Sequence, residues 1–212
     1  MDINPRFDGK KIIIFDLDGV LMDSIGFLRN YIKNKYEGST ENDFKEIFYI
    51  NFWDGLQKFK EKAQEKYLIH EDHSPYNRAT NDNIFIFEGV KDLLEILSKK
   101  YILVVNSSDS EKFIMERLAY NGILPFFDCI VGKETSVNKI EKFNLILEKY
   151  TLLNNEAVFI SDTVGDILEA DKANIDSIAV TWGVHTRNDF EKFTFNKLNF
   201  ISDNIEDLYR VL

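Results

Sequence analysis

The sequence predicts an α/β fold: a doubly wound parallel sheet with a small α-helical domain inserted after its first strand. Three observations carry that prediction. Short apolar, β-branched runs recur along the 212 residues without polar alternation, as in strands covered on both faces. Segments with helical spacing separate them, so strand and helix alternate as right-handed crossovers require. One interval between strands is far longer than a crossover needs.

Ile12-Ile13-Ile14-Phe15 reads as the first strand. Residues 16–101, 86 in all, separate it from the next run, Ile102-Leu103-Val104-Val105, whereas a whole βαβ unit takes roughly 30. The surplus is an insertion, and it reads as helical. Ile25, Leu28, Tyr31, Ile32 and Lys35 share one pattern, with Asp23 or Ser24 as N-cap. Thr40 to Asp43 has the form of a capping box with Asp in place of Glu, opening toward Phe44, Ile47 and Phe48. Leu56, Phe59, Ala63 and Tyr67 make a third stripe, and HEDHSPYNRATNDN at 70–83 reads as a polar loop. The expected division is a core of residues 1–22 and 84–212 and a helical cap of residues 23–83.

Beyond the insertion the alternation resumes. Val90, Leu93, Leu94 and Leu97 precede the second strand. Phe113, Ile114, Arg117 and Leu118 follow it, with Gly122 where a C-cap falls. Cys129-Ile130-Val131 is the third strand. Phe143, Leu145, Ile146, Leu147 and Tyr150 mark the helix before the fourth, Ala157-Val158-Phe159-Ile160. Asp166 to Ala173 forms the next helix, with Asn174 as a left-handed stop before the fifth strand, Ser177-Ile178-Ala179-Val180.

Composition narrows the function. A formal charge of −10 argues against a nucleic-acid track or an anionic membrane surface, both of which need clustered Lys and Arg. No apolar run exceeds five residues, far short of a membrane span. Cys129 is the only cysteine, so no intrachain disulfide is possible and a reducing cytoplasm is the natural setting. Nothing in the sequence signals an oligomeric state.

The chemistry is written at two strand ends. Asp16-Leu17-Asp18-Gly19-Val20 follows the first strand directly, and Asp162-Thr163-Val164-Gly165-Asp166 follows the fourth. With strand order 3-2-1-4-5, the crevice where the order reverses lies between those two strands, and ligands bind there. Either acidic pair alone could be a helix cap. Converging, the carboxylates repel one another and call for a hard divalent cation, with Mg²⁺ taking one or two carboxylates plus water and phosphate oxygens. Ser107 and Ser108 follow the second strand, where a hydroxyl can hold a phosphate oxygen or cap the next helix. Lys139, 23 residues before Asp162, can neutralise phosphate charge or be an ordinary surface lysine.

Taken together, FDLDGV at 15–20, NSSDS at 106–110, Lys139 in VNKIEKF and ISDTVGDI at 160–167 resemble the haloacid dehalogenase superfamily. The likeness is to its phosphoglycolate-phosphatase-like and β-phosphoglucomutase-like branch, and the Thr181-Trp182-Gly183 turn looks like that branch too. The resemblance covers nearly the whole chain and implies a Rossmann-like core with a helical cap. It implies Asp16 as nucleophile forming an aspartyl-phosphate, and Asp18 as general acid and then base. It implies Mg²⁺ held by the Asp16 carboxylate, the Asp18 carbonyl and Asp162, with Asp166 nearby as a ligand through water or as an orienter of Lys139. Ser107, Ser108 and Lys139 would bind the phosphoryl group of a small phosphorylated metabolite. Members that act on carbon–halogen bonds lack the second carboxylate, so Asp18 points to phosphate esters. The family's lysine is usually followed by Pro; here Ile140 follows, which leaves Lys142 as a second candidate. Asn106 is likewise an alternative to Ser107. The implied activity is a Mg²⁺-dependent phosphatase, with a phosphosugar mutase or a non-catalytic regulatory module as rivals.

Other residues are weighed against ordinary roles. His70-Glu71-Asp72-His73 reads as a solvated loop rather than a metal cluster, and His185 as a loop histidine. Phe44, Phe48, Phe52 and Trp53 read as cap core, with a pocket wall as the alternative. Arg29, Lys33, Lys58 and Arg78 are candidates to read the substrate's far end.

Overall fold

The computed structural model describes residues 7–70 and 84–212. In chain order, β1 (Ile12–Phe15) leads into an inserted segment of α1 (Ile25–Lys35), β2 (Tyr36–Glu37), α2 (Glu41–Glu46), α3 (Phe52–Lys66) and β3 (Leu68–Ile69). The chain continues through α4 (Val90–Leu97), β4 (Ile102–Asn106), α5 (Glu111–Tyr120), β5 (Cys129–Val131) and α6 (Lys139–Tyr150). It ends through β6 (Ala157–Ser161), α7 (Val164–Lys172), β7 (Asp176–Val180), α8 (Arg187–Phe190), β8 (Leu198–Ser202) and α9 (Ile205–Val211).

The sheet has six strands in the order β5-β4-β1-β6-β7-β8, and every pairing is parallel. The five anticipated strands stand in the anticipated order. β1 explains why no polar alternation is seen. Ile13 and Phe15 pack on one face with the helices carrying Leu93, Ile114 and Leu208. Ile12 and Ile14 pack on the other with Phe143, Phe159 and Ala170. Both sides of the strand are core, so every position is apolar.

The signals at the helix ends have the expected physical basis. Thr40 caps α2, and the Asp43 side chain returns to the Thr40 N–H, closing the box. Asn174 ends α7 at a φ of 54° and Gly122 follows α5 at 66°, the left-handed conformation that lets a helix stop.

Everything beyond β7, namely α8, β8 and α9, was not anticipated, nor was a pair of short strands in the insertion. The sixth strand, β8, is a half-buried edge whose pairing with β7 shifts register at Ser177/Ile178. Its sequence, Leu-Asn-Phe-Ile-Ser, lacks the continuous apolar run of a central strand. Within the insertion, β2 and β3 form a two-stranded antiparallel ribbon, each strand two residues long and so too short for any periodicity. His70 pairs with Glu37 beside it. Glu71, Asp72, His73, Arg78 and the rest of that polar stretch to Asn83 lie outside the described residues.

The inserted helices bury their own cluster of Ile25, Ile32, Tyr36, Phe44, Phe59 and Ala63. They also touch the sheet-bearing part directly. The Gly165 N–H donates to the Phe48 carbonyl at 2.8 Å, and a Cβ at Gly165 would strike that backbone. Lys45 and Asp189 form an ion pair at 2.5 Å. The described helices include none long and apolar enough to cross a membrane.

Candidate active site

Register brings the acidic loops together. Phe15, the last residue of β1, is level with Val105 of β4 and Ile160 of β6. The residues that follow therefore leave the sheet at one edge: Asp16 after β1, Ser107 after β4 and Asp162 after β6. A cavity of about 280 Å³ opens there, and Asp16, Asp18, Ser107, Ser108, Asp162 and Asp166 all line it. The inserted segment supplies much of the remaining wall.

Lys139, at the start of α6, is buried rather than exposed on the surface. Its ammonium lies 2.9 Å from Asp16 Oδ1 and 2.7 Å from Asp166 Oδ2. Burial opposes its charge, but Asp16 and Asp166 outweigh burial and hold it above the ordinary lysine range. Asp166 is depressed despite burial, because Lys139 and hydrogen bonds, one of them from the Ser161 hydroxyl at 3.0 Å, stabilise its charge. Asp16 is raised well above the usual range: burial dominates, Lys139 pulls the other way, and Asp166 and Asp162 add repulsion.

Lys142 has a different post. It donates to the Ser107 carbonyl at 2.6 Å, and burial, with repulsion from Lys139, brings it down to about 8. The Ser107 hydroxyl accepts from the Asp109 N–H at 3.1 Å, leaving its own proton to donate. Asn106 ends β4 fully buried, its amide without a hydrogen-bond partner. Only one of the two lysines of VNKIEKF, Lys139, reaches the carboxylates.

Asp162 is fully buried. One carboxylate oxygen, Oδ2, accepts from the Val184 N–H at 2.7 Å, and Oδ1 has no partner. Burial lifts its pKa to about 7, against the pull of that amide and with repulsion from Asp166. Gly19 and Gly183 press on this carboxylate, and a Cβ at either would collide with Oδ2. Gly19 also needs a φ of +75°, which only glycine adopts without strain.

Two neighbours of the site are visible only in the structure. Arg117 of α5 is buried, with Nη1 2.9 Å from Asp18 Oδ1 and 3.6 Å from Asp109 Oδ2. The signal was there: an arginine on the apolar stripe of a helix must meet a charge. His185 is buried between the insertion and the start of α7. Its Nδ1 accepts from the Val164 N–H at 2.9 Å, Nε2 faces the Lys45 carbonyl at 3.3 Å, and its ring stacks on Tyr49 at 4.6 Å. Burial lowers its pKa to about 4, so it is neutral at pH 7.

The donor set suits a hard cation. Asp16 and Asp166 share the Lys139 ammonium, and Asp162 is buried beside them with one oxygen unpartnered, so among the described residues the cluster holds more carboxylates than cations. Among the described residues no three His, Cys, Asp or Glu are grouped so as to hold a metal ion by themselves. Mg²⁺ does not require such a group, because it binds through one or two carboxylates and completes its shell with carbonyl, water and phosphate oxygens.

The fold agrees with what the chain resembles among known proteins. Residues 13–180 match the family model of the haloacid dehalogenase-like hydrolases. The chain belongs to that family and is an enzyme of the hydrolase class. It is 28% identical to a phosphoglycolate phosphatase of Vibrio cholerae, over 95% of this chain and 96% of that one. Among solved structures, a haloacid dehalogenase-like hydrolase from Streptococcus pneumoniae superposes with a TM-score of 0.67 at 22% identity, covering 95% of this chain and 97% of its own. A structure described as a "predicted phosphoglycolate phosphatase" from Haemophilus somnus gives 0.72 at 22% identity, covering 96% and 98%. At such identities the two structures speak for the fold.

Proposed function

We propose that this hydrolase is a Mg²⁺-dependent phosphatase that hydrolyses a small organic phosphate monoester through an aspartyl-phosphate on Asp16. The observation that supports it most is the meeting of Asp16, Asp18 and Asp162 at one sheet edge around a cavity. The phosphoglycolate phosphatase relative that matches 95% of the chain favours the same reading.

In this reading a carboxylate oxygen of Asp16 attacks phosphorus in line, and the P–O bond to the alcohol breaks. Asp18 gives its proton to the departing oxygen. It then takes a proton from water as that water attacks the aspartyl-phosphate, and phosphate and the Asp16 carboxylate are released. Lys139 has three N–H donors, two directed at carboxylates, and the third serves a phosphoryl oxygen. The Ser107 hydroxyl proton and Ser108 serve others. Mg²⁺, bound by Asp16, Asp162 and the Asp18 carbonyl, would neutralise phosphoryl charge and keep Asp16 ionised. Asp166 holds Lys139 in place.

Residues 23–83 would act as a cap. The walls that its residues between Ser24 and Leu56 give the cavity exclude water during transfer. A cytoplasmic setting fits the single cysteine.

Acid quenching tests the intermediate. Enzyme mixed with substrate and Mg²⁺ and stopped in acid should carry a hydroxylamine-labile phosphoryl group on the peptide containing Asp16. A phosphoryl group on any other residue would overturn the assignment.

A further inference from the structure

We propose that the ester this site cleaves carries an apolar alcohol: an alkyl or aryl phosphate rather than a sugar phosphate or a phosphorylated acid. The inference rests on the phosphatase reading and concerns the other end of the substrate. The cavity has two unlike halves. Its floor is the carboxylate cluster with Ser107 and Ser108, where the phosphoryl group and its cation belong. Its walls come from the insertion and include Leu28, Ile32, Phe44, Phe48, Trp53 and Leu56.

Charge recognition from the insertion is missing among the described residues. Arg29 is paired with Glu41 at 3.0 Å and lies over the Phe44 ring, and Lys33 also faces Glu41. Lys58 opens onto a separate depression beside Glu46 and Lys62. Lys62 itself is held by Asp43 and Glu46. None of these four lines the main cavity. The cation that does, Lys133, comes from the loop after β5 and not from the insertion. Asp18 and Asp109 also line that space. Against that single cation among the described residues, a second carboxylate on the substrate would meet the like charge of Asp18 and Asp109 and the aromatic walls, and burying it there is unfavourable. The polar groups that the walls offer a sugar are few, the Trp53 indole N–H, which has no partner among the described residues, and the hydroxyls of Ser24, Tyr31 and Thr163, so most sugar hydroxyls would lose water without a hydrogen bond in return. An alkyl chain or aromatic ring gains by the same transfer.

The test compares phosphate release, with Mg²⁺, from n-alkyl phosphates of two to six carbons, benzyl phosphate, 2-phosphoglycolate and glucose phosphates. If the proposal holds, kcat/KM rises about fourfold per added methylene until the cavity fills. Benzyl phosphate should then exceed 2-phosphoglycolate at least about 100-fold. Equal or greater kcat/KM for 2-phosphoglycolate or a glucose phosphate would overturn it. Leu28→Arg, which puts a cation into a half-buried wall position, should narrow the benzyl-to-glycolate ratio at least about tenfold with an unchanged melting midpoint. An unchanged ratio in that folded variant also counts against the proposal.

A binding arm separates this inference from the catalytic reading. Calorimetry with the Mg²⁺-loaded protein should find benzylphosphonate bound at least about tenfold tighter than phosphonoacetate, with a negative heat-capacity change. That preference can hold even if no ester in the panel is turned over, an outcome that would defeat the phosphatase reading alone. Tighter binding of phosphonoacetate defeats the apolar-alcohol proposal whatever the turnover.

Discussion

Arg117 Nη1 lies 2.9 Å from Asp18 Oδ1, joining the apolar face of α5 to the loop after β1. The arginine is buried and half of the partnership faces the cavity. Its guanidinium also lies over the Phe113 ring at 4.7 Å. It is a positioning residue: it orients Asp18 without lining the cavity. Arg117→Met should lower kcat by roughly 10- to 100-fold while leaving KM within about twofold, since ground-state phosphate contacts remain. Arg117→Lys should restore part of kcat. A parallel rise in KM with constant kcat would contradict the assignment.

Lys139 between Asp16 and Asp166 supports a stronger prediction. Removing the buried cation leaves two carboxylates facing each other, a change that typically destabilises by about 3–5 kcal/mol. Lys139→Met should therefore lose turnover by more than about 100-fold and unfold at lower denaturant. Lys142→Met removes only the support of the Ser107 carbonyl and should retain more activity than Lys139→Met. The reverse ranking would exchange the two roles.

Gly183→Ala places a methyl group against Asp162 Oδ2. The carboxylate must turn, so the Mg²⁺ concentration for half-maximal rate should rise about 10- to 100-fold, as when groups supporting metal ligands are disturbed. Saturating Mg²⁺ should recover much of the rate. An unchanged Mg²⁺ requirement would remove Asp162 from the metal site.

These assignments also show what a sequence discloses. The central strands were legible because both faces of β1 are buried, and the acidic loops because they follow those strands directly. Register then aligns Phe15 with Ile160. The lysine was harder, since Lys139 and Lys142 lie three apart on one helix and both are buried; only geometry shows which reaches Asp16. β8 was missed because an edge strand has a wet side. Arg117 stands on the α5 stripe and His185 in the loop after β7, as read, but their partners Asp18, Val164 and Lys45 lie far away in sequence and only the structure shows them.

His185 makes stability depend on pH. Its folded pKa, about 4 against 6.5, lies below the unfolded value, so the unfolded chain binds the proton first. The His185 contribution is fully present above pH 6.5 and is lost as pH falls toward 4, by on the order of 3 kcal/mol, while the raised carboxyl of Asp162 acts in the opposite direction over the same window. His185→Asn should be less stable at pH 7 yet lose less across that window. Urea midpoints measured at pH 7, 6, 5 and 4 check it, and identical slopes for both proteins would contradict it.

The most direct test of the central claim is Mg²⁺-dependent phosphate release by the wild type and by Asp16→Asn, with chelator as the control. The account predicts release in the wild type that chelator abolishes. Asp16→Asn, folded with a comparable melting midpoint, should fall by more than about 1,000-fold. Release at the wild-type rate from Asp16→Asn would contradict it.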